Sequence, residues 1–246
     1  MSIVSKFSPT PLFSLFIKFD PTNIFFMSFS KNAIKYFCNL EVRSSIRNGV
    51  DIINPYENDE VKSIVNKFYS KFFNDINKRL FVFGINPGRF GGGLTGISFT
   101  DPVALREHCG IENDLGERKE LSSRFIYDLI SAFGGAGHFY SKVFLSAIYP
   151  FALVKDGKNF NYYDDKHIFE KLKPEIINSL REQFEFGAQR EKVIILGKKN
   201  AEYFKIINDE FNFFNEIVVL DHPRFIMQYR QRLKNKYITN YIRAIR

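Results

Sequence analysis

Four short apolar runs, separated by longer helical patterns, constrain the fold of this 246-residue chain more than any other feature. The runs are nearly continuous rather than alternating and have the length of single strands, which is typical of parallel strands buried on both faces. They cover residues 79–84, 142–148, 192–197 and 216–221. The alternation of strands and helices predicts an α/β fold, a three-layer sandwich with a central four-stranded parallel sheet. Ligands of such sheets bind beyond the carboxyl ends of the strands.

Apolar residues spaced three or four positions apart predict four helices. Their approximate bounds are 124–133, 168–184, 199–211 and 225–243. We expect Ser123 to cap the first helix, and Gly134 to end it. Pro174 is expected to break or restart the second helix, because proline lacks the backbone N–H. Asp164 or Asp165 is its predicted N-cap.

Residues 1–27 lack a steady period, whereas a helical pattern begins after Met27. We therefore predict a poorly structured extension over 1–27 and one α/β domain over 28–246, with Met27 as a candidate start of translation. The apolar stretch 12–29 is interrupted by Lys18 and Asp20, so it is too broken to span a bilayer and fits a signal peptide poorly. We expect a monomer with no membrane partner.

A glycine-rich loop follows the first predicted strand. Residues 84–99 read GINPGRFGGGLTGISF and contain six glycines, which let the backbone approach a ligand closely. The loop lacks both the Gly-Lys-Ser/Thr ending of a phosphate-binding NTPase loop and the helix-opening G-x-G-x-x-G of dinucleotide folds. It therefore predicts a pocket of another kind.

Two other strand ends are expected to face the same crevice. The last strand is followed by His222 and a turn-forming proline, which places an imidazole opposite Asn86 of the glycine-rich loop. The second strand ends near Ala147, which supplies a wall without polar groups. The remaining histidines have no ligand spacing, so we expect no metal site.

The formal net charge of +8 favours a polyanionic partner. Residues 223–246 contain no Asp or Glu but seven basic residues: Arg224, Arg230, Arg232, Lys234, Lys236, Arg243 and Arg246. A solvated helix also produces such a run, so it does not by itself define a nucleic-acid interface. Two cysteines cannot build a Cys₄ cluster and indicate a reducing, cytoplasmic environment.

The runs 84–88 and 95–99, together with the late His222-Pro223 pair, resemble the single-strand-selective monofunctional uracil-DNA glycosylases of the uracil-DNA glycosylase superfamily. A His-Pro-Arg ending, where that family has His-Pro-Ser-Pro, is similar to a bacterial branch catalogued as an uncharacterised domain. The resemblance covers about residues 30–246. It implies a glycosylase-like α/β fold, DNA as partner, no cofactor, and base excision repair at the bacterial nucleoid.

The resemblance also implies roles for individual residues. Asn86 would hold the attacking water and His222 would stabilise the departing base, as the two catalytic residues. Phe99 would stack on the flipped base, Gly88 would leave space beside it, and the backbone near Ile85 would bind it.

One departure from the family pattern bears on the substrate. Family members that read uracil place an asparagine where this chain has Ala147, and alanine cannot supply the paired donor and acceptor of an amide. Xanthine and hypoxanthine are therefore alternatives to uracil. Arg224 stands where the family has a serine and would either bind a phosphate or wedge into the stack that the flipped base leaves. Arg89 and Arg230 are also expected to contact DNA.

Other functions stay open at this point. A non-catalytic nucleic-acid-binding module would use the same fold and the basic tail. A small-nucleotide hydrolase would need a metal-binding carboxylate set, which we do not identify. No lysine is evidently placed for Schiff-base chemistry, so we expect a monofunctional enzyme.

Overall fold

The computed structural model describes residues 27–46 and 49–246. The predicted extension, apart from Met27 itself, lies outside the described residues. The helices and strands within them are, in chain order, α1 (Phe29–Cys38), β1 (Val50–Ile53), α2 (Asp59–Phe72), β2 (Arg79–Gly84), α3 (Gly92–Thr95), α4 (Pro102–Cys109), α5 (Leu121–Phe133), α6 (Ala136–Tyr140), β3 (Val143–Ala147), β4 (Ala152–Lys155), β5 (Lys158–Phe160), α7 (Lys166–Phe184), β6 (Ala188–Leu196), α8 (Lys198–Phe211), β7 (Glu216–Leu220), α9 (Pro223–Tyr229) and α10 (Lys234–Ile245).

The predicted parallel sheet is confirmed. Its strand order is β3-β2-β6-β7, and each neighbouring pair is parallel. Every residue of β2 and β3 is buried, as expected for strands covered by helices on both faces. β6 begins earlier than predicted, because Ala188 already pairs with Arg79 before an irregularity in the register.

A second, antiparallel sheet with the order β1-β4-β5 was not predicted. Its strands are only three or four residues long, too short to show a clear alternation. β4 and β5 form a hairpin whose turn residues Asp156 and Gly157 both have positive φ, 48° and 68°. This combination favours a tight two-residue turn. The hairpin matters because it carries Lys158 and Asn159 to the edge of the cavity described below.

The start of α5 corrects the predicted cap. Ser123 lies inside the helix, and its hydroxyl accepts a hydrogen bond from the backbone N–H of Asp101 at 3.3 Å. Glu120 occupies the N-cap position instead, without a side-chain cap bond. The predicted end is confirmed, since Gly134 and Gly135 have φ values of 114° and 91°.

The predicted break at Pro174 is wrong, because α7 continues through it. Leu172 and Ile176 are fully buried on either side of the exposed proline, so packing of this face holds the helix together despite one lost backbone hydrogen bond. Asp165 is confirmed as the N-cap, accepting from the backbone N–H groups of the first turn.

The single helix predicted over 225–243 is also wrong. α9 ends at Tyr229, Arg230 leaves helical geometry with φ −135°, and α10 begins at Lys234. Both helices pack on α5, which requires the chain to change direction between them. Tyr229 and Leu233, which fit the predicted stripe, are therefore exposed by 65% and 48%.

Within the described part of the chain, no helix combines the length and the apolar character needed to cross a bilayer.

Candidate active site

A cavity of about 610 Å³ lies beyond the carboxyl ends of β2, β3 and β7, a volume within the usual range for a small-molecule site. Eight of the nine predicted site residues line it: Ile85, Asn86, Gly88, Arg89, Phe99, Ala147, His222 and Arg224. The ninth, Arg230, lies on the surface after α9 and does not line the cavity. The crevice predicted from the strand ends is thus where these residues meet.

Asn86 follows β2 directly, and both ends of its amide are held. The Nδ2 group donates to the carbonyl of Phe160 at 3.0 Å, and Oδ1 accepts from the backbone N–H of Tyr162 at 3.2 Å. The amide orientation is therefore fixed by the segment between β5 and α7. One N–H and one lone pair of the amide remain for a ligand.

A buried asparagine of α8 supports this arrangement and was not identified from the sequence. Asn200 donates from Nδ2 to the carbonyls of Gly84, at 3.1 Å, and Leu196, at 3.2 Å. Its Oδ1 accepts from the hydroxyl of Tyr162 at 2.8 Å. Asn200 thus joins the end of β2 to the segment that holds Asn86.

Phe99 has φ 57°, which is uncommon for a residue other than glycine. Its ring lies on the Cα of Gly84, where a Cβ would come within 2.5 Å of Cζ, and its centroid is 5.8 Å from that of His222. The buried Thr95 hydroxyl fixes the loop by donating to the carbonyl of Thr100 at 2.7 Å. The ring is therefore pre-positioned, and partly buried, in the cavity wall.

His222 caps α9, and its Nδ1 accepts a hydrogen bond from the backbone N–H of Arg224 at 3.2 Å. A neutral imidazole that accepts at Nδ1 carries its proton on Nε2, so Nε2 is a donor. Burial lowers the pKa of His222 to about 4, and the charge of Arg224 acts in the same direction. The imidazole is consequently neutral at pH 7.

Glu120 is a cavity residue that the sequence analysis missed. Burial raises the pKa of its carboxyl group, and the nearby Asp101 adds to this, whereas the backbone N–H of Phe90 and the charge of Arg224 lower it. Glu120 directly precedes α5, whose true start lies three residues before the predicted one. The choice of Ser123 as the cap concealed it.

The rim of the cavity carries aromatic and basic side chains. Phe225 and Tyr229 are exposed by 39% and 65%, with ring centroids 5.6 Å apart. The Arg230 guanidinium lies 5.5 Å from the Phe225 ring centroid, and Arg224 is exposed beside them. Exposed rings next to cations are typical of surfaces that bind nucleic acids.

Two lysines, Lys119 and Lys158, also line the cavity, which the sequence analysis did not anticipate. The Nζ of Lys119 lies 3.3 Å from a carboxylate oxygen of Glu107. Across residues 27–46 and 49–246, no three His, Cys, Asp or Glu side chains gather as a metal site would require.

The chain belongs to the uracil-DNA glycosylase superfamily, whose family model matches residues 70–246. It is therefore a DNA glycosylase of the uracil-DNA glycosylase type, with DNA as its partner. Among solved structures, it is similar to wild-type SMUG2 of Pedobacter heparinus, with 38% sequence identity, a TM-score of 0.85, and coverage of 89% of this chain and 97% of that chain. No curated protein sequence matches it.

Proposed function

We propose that the protein is a monofunctional glycosylase that releases uracil or a related deaminated base from DNA by hydrolysing the N-glycosidic bond. The observation that carries this proposal is the meeting of Asn86, Phe99 and His222 in one cavity at the strand ends. Membership of the uracil-DNA glycosylase superfamily supports it. The reaction is the first step of base excision repair.

The base reaches the cavity by leaving the DNA stack. Unstacking costs a few kcal/mol, and stacking on an aromatic ring returns about 1–3 kcal/mol. Phe99 offers such a face without rearrangement, because Gly84 lets the ring lie against the backbone. A damaged, mismatched or single-stranded base is easier to extract, which favours lesions over normal pairs.

His222 stabilises the departing base. As the N-glycosidic bond breaks, its electron pair stays with the base, and negative charge develops on a base carbonyl oxygen. The Nε2–H of neutral His222 donates a hydrogen bond to this oxygen in a partly desolvated site, where such a donor is most effective.

Asn86 holds the water that captures the sugar. An amide cannot act as a general base, so the water oxygen adds to C1′ after most of the bond to the base has broken. The water then loses its proton to solvent or to the departed base. The hydrogen bond that Asn86 donates to the Phe160 carbonyl and the one it accepts from the Tyr162 N–H keep the amide in place for this step.

The rim contacts the DNA strand. Arg89, Arg224 and Arg230 neutralise phosphates, and Phe225 and Tyr229 occupy the space that the flipped nucleotide leaves.

A second candidate keeps the reaction and changes the base to xanthine or hypoxanthine. Ala147 favours it, because the end of β3 offers no amide to read a uracil edge.

The test is base release from oligonucleotides that carry uracil, xanthine or hypoxanthine, in single- and double-stranded form. We expect wild-type protein to produce abasic sites from at least one lesion, and the fastest lesion identifies the substrate. Salt-sensitive binding without any release would support a nucleic-acid-binding module instead. A protein–DNA adduct trapped with borohydride would contradict a monofunctional mechanism.

A further inference from the structure

Glu120 lies in the wall of the cavity in an unusual way. A residue at a helix N-cap normally turns its side-chain oxygen to the first-turn N–H groups, but Glu120 makes no such bond. Its carboxylate instead fills the space where a Cβ of Gly88 or of Gly91 would lie. The two glycines therefore leave room for a carboxylate that reaches in from α5.

The inner part of the cavity offers few other polar side-chain groups to a base. Gly84, Ile85, Gly88 and Ala147 have no polar side chain. The Asn86 amide keeps one N–H and one lone pair beside its two backbone bonds, and His222 presents only the donor Nε2–H, so these side chains supply little acceptor capacity.

Glu120 retains unused acceptor capacity. A carboxylate has about four lone-pair sites, and the backbone N–H groups of Phe90 and Gly91 approach the Glu120 carboxylate as donors. Its remaining lone pairs are available to a ligand in the cavity.

We propose that Glu120 is a specificity-determining residue, whose carboxyl group accepts a hydrogen bond from an N–H group of the flipped base. This inference rests on the proposed glycosylase function. A base that turns an N–H to this wall is bound, and a base that turns a carbonyl oxygen to it is rejected, because two acceptors would then face each other. The base is thus recognised by a residue at the start of α5, because the end of β3 offers only Ala147.

The experiment compares kcat/KM for release of uracil, xanthine and hypoxanthine by the wild type, Glu120→Gln and Glu120→Ala. Glu170→Gln, an exposed glutamate of α7 outside the cavity, is the matched control. The amide of Glu120→Gln keeps the shape but adds a donor. The three bases carry their N–H and carbonyl groups at different positions, so we expect ratios of kcat/KM between bases to change about tenfold or more.

Glu170→Gln should keep the wild-type ratios, and thermal unfolding of Glu120→Gln verifies that the variant is folded. Equal slowing of all three bases in both Glu120 variants would show that the residue only supports the loop, and would overturn the inference. Unchanged rates would overturn it as well. A wild type that releases no base would overturn the proposed function itself, an outcome distinct from either.

Discussion

At the scale of single residues, the site depends on the absence of a Cβ at Gly84. The Phe99 ring occupies the position of a missing side chain at the end of β2, so the ring can pack on the strand end only because residue 84 has no Cβ. Gly88 and Gly91 have the same relation to Glu120. The glycines of the loop therefore let other side chains pack closely against its backbone, as well as letting the backbone approach a ligand.

Gly84→Ala tests this relation. The added Cβ would lie 2.5 Å from Cζ of Phe99 and displace the ring, so we expect a raised KM for base release and a loss of about 1–3 kcal/mol in the free energy of unfolding. Gly137→Ala is the control, because a Cβ there meets nothing within 4 Å. Steady-state kinetics and urea unfolding provide both readouts. An unchanged KM for Gly84→Ala would contradict the assigned position of Phe99.

His222 makes stability depend on pH. Its pKa is about 4 in the folded protein against 6.5 for the free group, so between these values the unfolded chain binds a proton that the folded chain does not. The free energy of unfolding therefore rises with pH across this window, and acidification from pH 7 to 4.5 destabilises the protein.

We expect His222→Gln to lose less stability than the wild type between pH 7 and 4.5, because the variant has no imidazole to protonate there. Urea unfolding at both pH values measures the difference. His167→Gln, an exposed histidine of α7, serves as control. An equal loss in His222→Gln and wild type would show that His222 is not buried in the neutral form.

At the scale of secondary structure, the elements predicted best from the sequence are those whose residue pattern is dictated by burial in the core. β2 is predicted at both ends, because a fully buried strand must be a continuous apolar run. The hairpin β4–β5 was missed, because short strands with polar residues carry little periodicity. The break at Arg230 was missed for another reason: Tyr229 and Leu233 complete an apolar stripe yet are exposed.

The site could be predicted only in part, for similar reasons. Asn86, Phe99 and His222 lie at strand ends or in a recognisable motif. Asn200 and Glu120 act through contacts distant in sequence, from α8 to β2 and from the start of α5 to the glycine-rich loop, and no local pattern records such contacts.

Asn200→Ala tests the connection of α8 with the end of β2 and with the segment that holds Asn86. The substitution leaves the buried Tyr162 hydroxyl without its partner, at a cost of about 1–3 kcal/mol. It also removes one of two hydrogen bonds to the Gly84 carbonyl, which still accepts from the backbone N–H of Ile148. We expect reduced stability and a lower kcat, since the segment that holds Asn86 loosens. Asn178→Ala, on α7 outside the cavity, is the control. A normal kcat in Asn200→Ala would show that Asn200 does not support the site.

At the scale of the whole molecule, the positive charge behind the net value of +8 is unevenly distributed. Six of the seven basic residues after Pro223 are exposed, whereas Lys234 pairs with Asp128 at 2.7 Å. The exposed Arg224 also lines the cavity mouth, next to the aromatic rim. The arrangement favours DNA that lies across the mouth rather than along the opposite face.

Salt dependence of DNA binding tests this orientation. Each arginine that neutralises a phosphate contributes about one unit to the slope of log K against log salt, so Arg224→Ala and Arg230→Ala should each lower the slope by about one unit. Lys171→Ala, an exposed lysine of α7 that does not line the cavity, should leave it unchanged. Equal effects of all three substitutions would indicate that DNA binds without a preferred face.

The proposed function requires that Asn86 and His222 catalyse release of a base in this cavity. The most direct measurement is single-turnover base release, on the fastest lesion, by the wild type, Asn86→Ala and His222→Ala at matched saturating protein. We predict losses of about a hundredfold or more in each variant, the usual effect of removing a group that acts on the transition state, with DNA binding retained. Wild-type release rates in both variants would contradict the account.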